Sequence, residues 1–187
     1  MKHYMELSGN LKELDFAQLV ALIANMEGVL ELWNLPRRRS AQLFIKRKKL
    51  RCVRMNGAFL DPLQAKALMA ELAAGAPAAF EFTAKPFRTP CEPPLNWPLD
   101  KLLLTVFTQY DERQRYLDRL PDPDRRFRLT PLANPDGSLF LRAAGPLLLR
   151  DEGATAREIA HDLRLPLDQV RYYLHKLLQR DKVEPAK

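Results

Sequence analysis

The feature that most constrains this chain is a set of three short apolar runs between residues 28 and 57. Each run is rich in Val, Leu, Ile, Phe or Trp, and in each run apolar residues recur at every second position. Side chains alternate between the two faces of a strand, so this pattern predicts strands with one buried and one exposed face. Two basic connections separate the runs. We therefore predict a three-stranded antiparallel meander.

The stretch from residue 35 to residue 57 is unusually basic. It contains nine basic residues and no acid, and the whole chain carries +7, so the remaining residues sum to −2. The positive charge is therefore local. It suggests either a binding patch for a partner or for nucleic acid, or solvated turns that discourage pairing at sheet edges. The candidate patch consists of Arg37, Arg38, Arg39, Lys46, Arg47, Lys48, Lys49, Arg51 and Arg54.

Helix signals flank the meander. Asp15 is a suitable N-cap for a helix over residues 16–25, and Asp61 followed by Pro62 opens a second helix that Gly75 ends. Residues 79–82 return as a strand. We therefore predict an α+β domain over residues 1–84, with a small antiparallel sheet and helices on one face.

Several short motifs in residues 5–84 occur in the order seen in a bacterial domain family. They are Leu7-Ser-Gly-Asn-Leu11, Gly28-Val-Leu-Glu-Leu32, Gln42-Leu-Phe-Ile45, Leu50-Arg-Cys-Val53 and Phe80-Glu-Phe82. This arrangement resembles the PATAN domain. The resemblance implies a non-catalytic domain of the kind attached to response regulators and found in proteins of motility and pilus control. The family usually has a polar residue and a glycine at the hairpin tip, where this chain has Lys46-Arg-Lys-Lys49.

Residues 85–135 are predicted to be a linker region that contains one long helix. Five prolines lie in the segment 85–98, and proline fixes φ and lacks an amide donor, so we expect an extended linker there. A helix is predicted over residues 99–120. Its apolar stripe has two interpretations, which are packing against one of the domains and pairing of two copies into a homodimer.

Residues 136–187 predict an all-α helix-turn-helix domain. Thr155 and Glu158 match a capping box, and Asp168 is the expected cap of the next helix. The spacing resembles a winged-helix domain, and similar helical tails follow PATAN domains, although the last residues leave no room for a full two-stranded wing. The candidate recognition-helix residues are Gln169, Arg171, Tyr172, His175, Lys176 and Gln179.

The chain has no Gly-rich phosphate loop, no Ser nucleophile motif and no His pair at metal spacing. Acid pairs such as Asp111-Glu112 are interpreted as solvated helix ends. We therefore expect a protein that is not an enzyme and binds neither a cofactor nor a metal. Cys52 and Cys91 lack metal-binding spacing and are expected to be reduced thiols. The absence of a signal-peptide core and of a bilayer-length apolar run favours a cytoplasmic protein without membrane insertion.

Two functions are compatible with these patterns. The first is a regulatory adaptor that binds a signalling or motility protein through its PATAN-like half. The second is a DNA-binding transcriptional regulator that uses the helix-turn-helix. Residues 139–187 contain nine basic and seven acidic residues, a net charge of only +2. Because DNA contact requires exposed positive charge, this balance favours the adaptor.

Overall fold

A computed structural model describes residues 5–186 of the chain. Its helices and antiparallel sheets confirm the predicted α+β class. The chain forms two compact units, Met1–Tyr110 and Asp111–Lys187. The first unit therefore extends beyond residue 84, where the first domain was predicted to end, because the residues that follow pack on its sheet.

An antiparallel sheet of seven strands organises the first unit. Its strands are β1 (Met5–Asn10), β2 (Gly28–Leu35), β3 (Arg39–Lys46), β4 (Lys49–Met55), β5 (Ala58–Phe59), β6 (Ala79–Ala84) and β7 (Trp97–Pro98). The strand order is β1-β6-β2-β3-β4-β5, and β7 also pairs with β4. The predicted meander is confirmed as β2, β3 and β4, which pair in sequence order.

Three helices contribute apolar side chains to a core on one face of this sheet. The side chain of Asp15 caps α1 (Phe16–Ile23), and that of Asp61 caps α2 (Pro62–Ala73), as the sequence predicted. The third helix is α3 (Leu99–Arg115). Fully buried side chains of this core include Leu19, Ile23, Leu30, Leu32, Leu43, Ile45, Leu68 and Phe82.

Residues 85–98, which we call the strap, belong to the first unit and are not a free linker. Phe87 packs edge-on against Phe44 of β3, with ring centroids 5.3 Å apart. The Leu95 amide donates to the Arg51 carbonyl at 2.8 Å, and the strap ends in β7. The linker prediction was wrong because the apolar side chains between the prolines anchor the segment to the sheet.

Cys52 and Cys91 form a disulfide bond, which contradicts the expected pair of reduced thiols. Cys52 lies on β4 and Cys91 lies in the strap, 39 residues later, yet their Cα atoms are 5.5 Å apart. The linear spacing of the cysteines does not reveal this pair. Only the return of the strap across the sheet brings the two sulfur atoms together.

The apolar stripe of α3 lies in the core of the first unit. Leu99, Leu102 and Val106 are buried there. Packing against a domain therefore accounts for Leu99 and Val106 of the predicted stripe, whereas Leu117, at its far end, is exposed. The α-helix ends at Arg115, and the predicted continuation towards residue 120 contains a 3-10 turn over Leu117–Arg119.

The second unit contains a short antiparallel sheet, so it is not the all-α domain that the sequence predicted. Its strands β8 (Arg126–Leu129), β9 (Ala154–Thr155) and β10 (Val183–Pro185) have the order β10-β8-β9. β8 lies within residues 85–135, which were predicted to be a linker region with one long helix and no strand. Its Phe127 side chain is fully buried, and this burial holds the stretch in place as the central strand.

The helices of this unit that follow β8 are α4 (Leu139–Leu148), α5 (Ala156–Asp162) and α6 (Leu167–Leu178). Thr155 and Glu158 form the predicted capping box of α5. The predicted cap of α6 is wrong, because the helix begins at Leu167, two residues earlier than a cap at Asp168 implies, and Pro166 occupies the cap position. The Asp168 carboxylate instead accepts a hydrogen bond from Arg171 at 3.0 Å.

Candidate interaction surfaces

The nine basic residues of the candidate patch do not form one surface. Residues 36–38, which we call the basic loop, connect β2 to β3 at one end of the sheet. Residues 47–49, which we call the basic tip, include the turn from β3 to β4 at the other end. The eight residues of β3 separate the two by about 25 Å, at roughly 3.3 Å per residue. The prediction of a single patch was therefore wrong.

Two of the nine cations form ion pairs within the first unit. Arg39 pairs with Glu71 of α2, and Lys46 pairs with Glu27 at 2.8 Å. All four side chains are less than half exposed. These pairs attach the ends of β3 to neighbouring elements, and their cations are correspondingly less available to a partner.

Most of the other cations have no such contact. Arg54 donates to the Gly57 carbonyl at 2.8 Å and lies over the Phe59 ring. Within residues 5–186, no carboxylate forms an ion pair with the other six. Arg51 is half-buried and the rest are exposed. The unpaired six are Arg37, Arg38, Arg47, Lys48, Lys49 and Arg51.

Acidic side chains lie between the basic loop and the basic tip, on the sheet face opposite the helices. Glu31 on β2 and Glu81 on β6 are direct register partners, and Gln42 Nε2 donates to Glu31 Oε1 at 2.8 Å. Glu31, Gln42 and Trp33 help to line an open depression of about 240 Å³. Glu31 and Glu81 therefore add negative charge to this face, where Arg54 lines the same depression. The face also carries an apolar cluster that includes Val29 and Phe44.

Two of the predicted recognition residues on α6 point into the second unit. Gln169 and Tyr172 are each 5% exposed. The Gln169 side-chain amide donates to the Tyr173 hydroxyl at 2.9 Å, and the Tyr172 hydroxyl donates to Glu112 Oε2 at 2.5 Å. Both side chains have partners inside the unit and are not presented to a DNA groove.

The two cations expected to contact DNA are held by residues 112–121, which we call the cover segment. Arg171 Nε donates to the Pro121 carbonyl at 2.8 Å, and Lys176 Nζ donates to Glu112 Oε1 at 2.5 Å. The cover segment therefore occupies the groups that a DNA phosphate would contact.

His175 also packs against the cover segment. Its ring lies against Tyr116, with centroids 4.9 Å apart, and its Nε2 atom is buried without a hydrogen-bond partner among the described residues. Burial lowers the pKa of His175, and the nearby charges of Lys176 and Arg119 lower it further. The neutral imidazole of His175 is therefore favoured. The last predicted recognition residue, Gln179, is exposed.

The interpretation of Asp111-Glu112 as a solvated helix end was wrong for Glu112, because its half-buried carboxylate accepts hydrogen bonds from Lys176 and Tyr172. Hydrogen bonds from Lys176 and then Tyr172 hold the pKa of the Glu112 carboxyl below its usual range. Burial, followed by the hydrogen bond to Glu112, raises the pKa of Tyr172. The carboxylate is thus kept ionised and the phenol protonated. No sequence signal identifies this cluster, because 60 residues separate Glu112 from Tyr172.

The described part of the chain offers no obvious site for a metal. In residues 5–186, no three His, Cys, Asp or Glu side chains are grouped closely enough to hold an ion, and no helix there has the length and apolar character needed to cross a membrane.

Comparisons with protein-family models, with curated proteins and with solved structures found no match to this chain. Functional inference therefore depends on the surfaces described above.

Proposed function

We propose that this protein is a non-enzymatic regulatory adaptor that acts through protein–protein contacts in bacterial signalling, in the setting of motility or type IV pilus control. The observation that carries the proposal is that side chains of α6 are hydrogen-bonded within the second unit. Its candidate DNA-contacting cations, Arg171 and Lys176, are bound by the cover segment. A helix that reads DNA needs free donors on the face that enters the groove, and the two cations expected there already have acceptors within the second unit.

The first unit supplies the second line of support. The motifs that resemble the PATAN domain lie in β1, β2, β3, β4 and β6 of a single sheet. This sheet presents unpaired cations at the basic loop and the basic tip. Local charge of one sign speeds the encounter with a complementary protein surface and selects against wrong partners.

DNA binding by the full-length chain provides the first test. We expect weak binding to labelled duplexes that does not depend on their sequence and that disappears near physiological salt, because only surface cations contribute. Fluorescence anisotropy at two salt concentrations measures this. A partner recovered by cross-linking in cells should then form a complex with the full-length chain when both proteins are purified.

The control compares two double variants of the second unit, each of which removes two cations. Arg171→Ala with Lys176→Ala removes the covered cations, whereas Arg142→Ala with Arg150→Ala removes two exposed ones. The adaptor model expects the first pair to affect DNA binding no more than the second. Tight binding to one DNA sequence that only the first pair abolishes would instead establish the DNA-binding regulator.

A further inference from the structure

Two hairpin turns of the same sheet use very different residues for the same backbone shape. The turn from β3 to β4 has Arg47 at φ 52° and Lys48 at φ 59°, and the turn from β4 to β5 has Asn56 at φ 48° and Gly57 at φ 86°. Two-residue turns with both φ values positive strongly favour Asn-Gly, because Gly has no Cβ and Asn tolerates this region. The second turn has the favoured pair, and the first has two long cations.

The choice of Arg47 and Lys48 is therefore not explained by the turn. Residues with long side chains are disfavoured in the left-handed region, and unfavourable backbone positions of this kind are often retained for function. Both side chains are exposed, as is that of Lys49, and none forms an ion pair with any residue from 5 to 186. The exposed charge itself is the feature that these residues add.

Further cations lie at the same end of the sheet. The Lys48 carbonyl accepts a hydrogen bond from the Leu99 amide at 3.0 Å, which places the start of α3 beside the basic tip. Lys101 is exposed in the first turn of that helix, where Asp100 adds one negative charge. Lys66 of α2 lies 5.7 Å from the ring centroid of Trp97 in β7, the strand that pairs with Lys49 and Leu50. The tip is thus the centre of a wider positive surface.

We propose that the basic tip, together with Lys66 and Lys101, docks a segment of a partner protein that is rich in Asp and Glu. The proposal rests on the adaptor function and assigns the surface through which the first unit acts. Guanidinium and ammonium groups pair well with carboxylates, and the Arg47 guanidinium can do so through two parallel hydrogen bonds. Several such contacts on adjacent elements suit an extended acidic segment.

The structure favours this occupant over nucleic acid or a membrane. A nucleic acid that used both the basic tip and the basic loop would cross the outer face, where Phe87 of the strap packs on Phe44 and where Glu31 and Glu81 add two carboxylates beside Arg54. Insertion into a membrane uses apolar side chains, and residues 47–49 are all cationic. Trp97, the neighbouring aromatic residue, is partly covered by Lys66.

The test replaces the two residues of the basic turn with the Asn-Gly pair that the chain uses in its next hairpin turn. Arg47→Asn with Lys48→Gly introduces the pair found at residues 56 and 57, so the turn is expected to remain intact and the thermal midpoint to stay equal or rise. The matched control, Arg37→Asn with Arg38→Gly, removes the same charge at the basic loop, where both residues also have positive φ. The probe is a short fluorescein-labelled polyglutamate peptide, with polyglutamine of equal length as its control.

Anisotropy at low salt should show that the full-length chain binds polyglutamate but not polyglutamine. The tip variant should bind about three- to tenfold more weakly, the scale expected for two lost surface ion pairs, and the loop variant about as well as the unchanged chain. No binding of polyglutamate, or equal weakening in both variants, would overturn the proposal. Stronger binding to DNA or to phosphatidylserine vesicles that both variants weaken would also overturn it.

Different results would contradict the proposal of docking at the basic tip and the proposal of an adaptor function. If a purified partner binds the full-length chain and the tip variant equally well, the adaptor function stands and the tip proposal is wrong. If the chain binds one DNA sequence tightly through Arg171 and Lys176, the adaptor function itself is wrong.

Discussion

At the scale of single residues, the contacts made by a side chain determine whether it can take part in binding. Lys176 and Lys48 are both cations on predicted interaction elements. Lys176 donates to Glu112 at 2.5 Å, whereas Lys48 is exposed at a hairpin turn. The first is held by a carboxylate within the second unit, whereas the second forms no ion pair with any residue from 5 to 186. Residue type alone does not distinguish these roles.

His175 provides a residue-scale prediction. Because its pKa in the folded protein lies below the ordinary value of 6.5, the unfolded chain takes up a proton first as the pH falls. The free energy of unfolding should therefore decrease as the pH is lowered through that value. His175→Phe keeps a ring against Tyr116 and removes the buried, unpartnered Nε2, so it should flatten this dependence and raise stability by about 1 kcal/mol.

Urea unfolding across a pH series measures the effect of His175→Phe. The Glu112 carboxyl, whose pKa is also lowered, acts in a separate window below 4.5 and should be unaffected by the change. An unaltered slope between neutral pH and pH 5 in the variant would show that His175 is not the group that titrates.

At the scale of elements, the strap is the segment of the first unit whose role differs most from the sequence prediction. It covers an apolar cluster on the outer face of the sheet that includes Val29 and Phe44, and Phe87 contributes an aromatic contact to it. The Cys52–Cys91 disulfide closes this segment onto β4. A stretch rich in proline thus acts as part of the core and not as a spacer between domains.

Cys91→Ser tests the contribution of the strap. The disulfide spans 39 residues, and restricting an unfolded loop of this size stabilises a protein by about 3–4 kcal/mol. We expect a loss of that order in the free energy of unfolding, followed by the fluorescence of the two tryptophans, which both lie in the first unit. Reduction of the unchanged chain should give the same loss. Equal stability before and after reduction would contradict this role.

At the scale of the whole molecule, the chain has two units with separate buried side chains. The first is built on the seven-stranded sheet, and the second buries Phe127, Ile159 and Leu174 among its strands and helices. The boundary lies at Tyr110, within α3. Each unit can therefore be perturbed through its own core.

Leu174→Ala examines the second unit. Leu174 is fully buried on α6, and removing a large buried side chain leaves a cavity, so the free energy of unfolding of that unit should fall by about 2–5 kcal/mol. Circular dichroism follows the helices, and comparison with tryptophan fluorescence, which reports the first unit, isolates the loss in the second. A loss below about 0.5 kcal/mol, the scale of ordinary surface changes, would mean that α6 packs with a different face inward.

Local patterns in the sequence determined the meander of β2, β3 and β4, the caps of α1 and α2, and the capping box of α5. These features depend on residues a few positions apart, so periodicity and cap chemistry are sufficient to predict them. The same patterns identified Leu99 and Val106 as inward-facing residues of α3 but missed the buried Leu102 and wrongly included Leu117, which is exposed.

Only the tertiary structure decided which candidate site residues are available. The disulfide joins residues 39 apart, Glu112 and Tyr172 are 60 apart, and seven of the nine basic residues lie at the two ends of β3. These outcomes depend on contacts between residues that are far apart in the sequence. Local sequence patterns carry no signal for such contacts. Whether a cation is exposed or hydrogen-bonded within its own unit therefore depends on the segment that packs beside it.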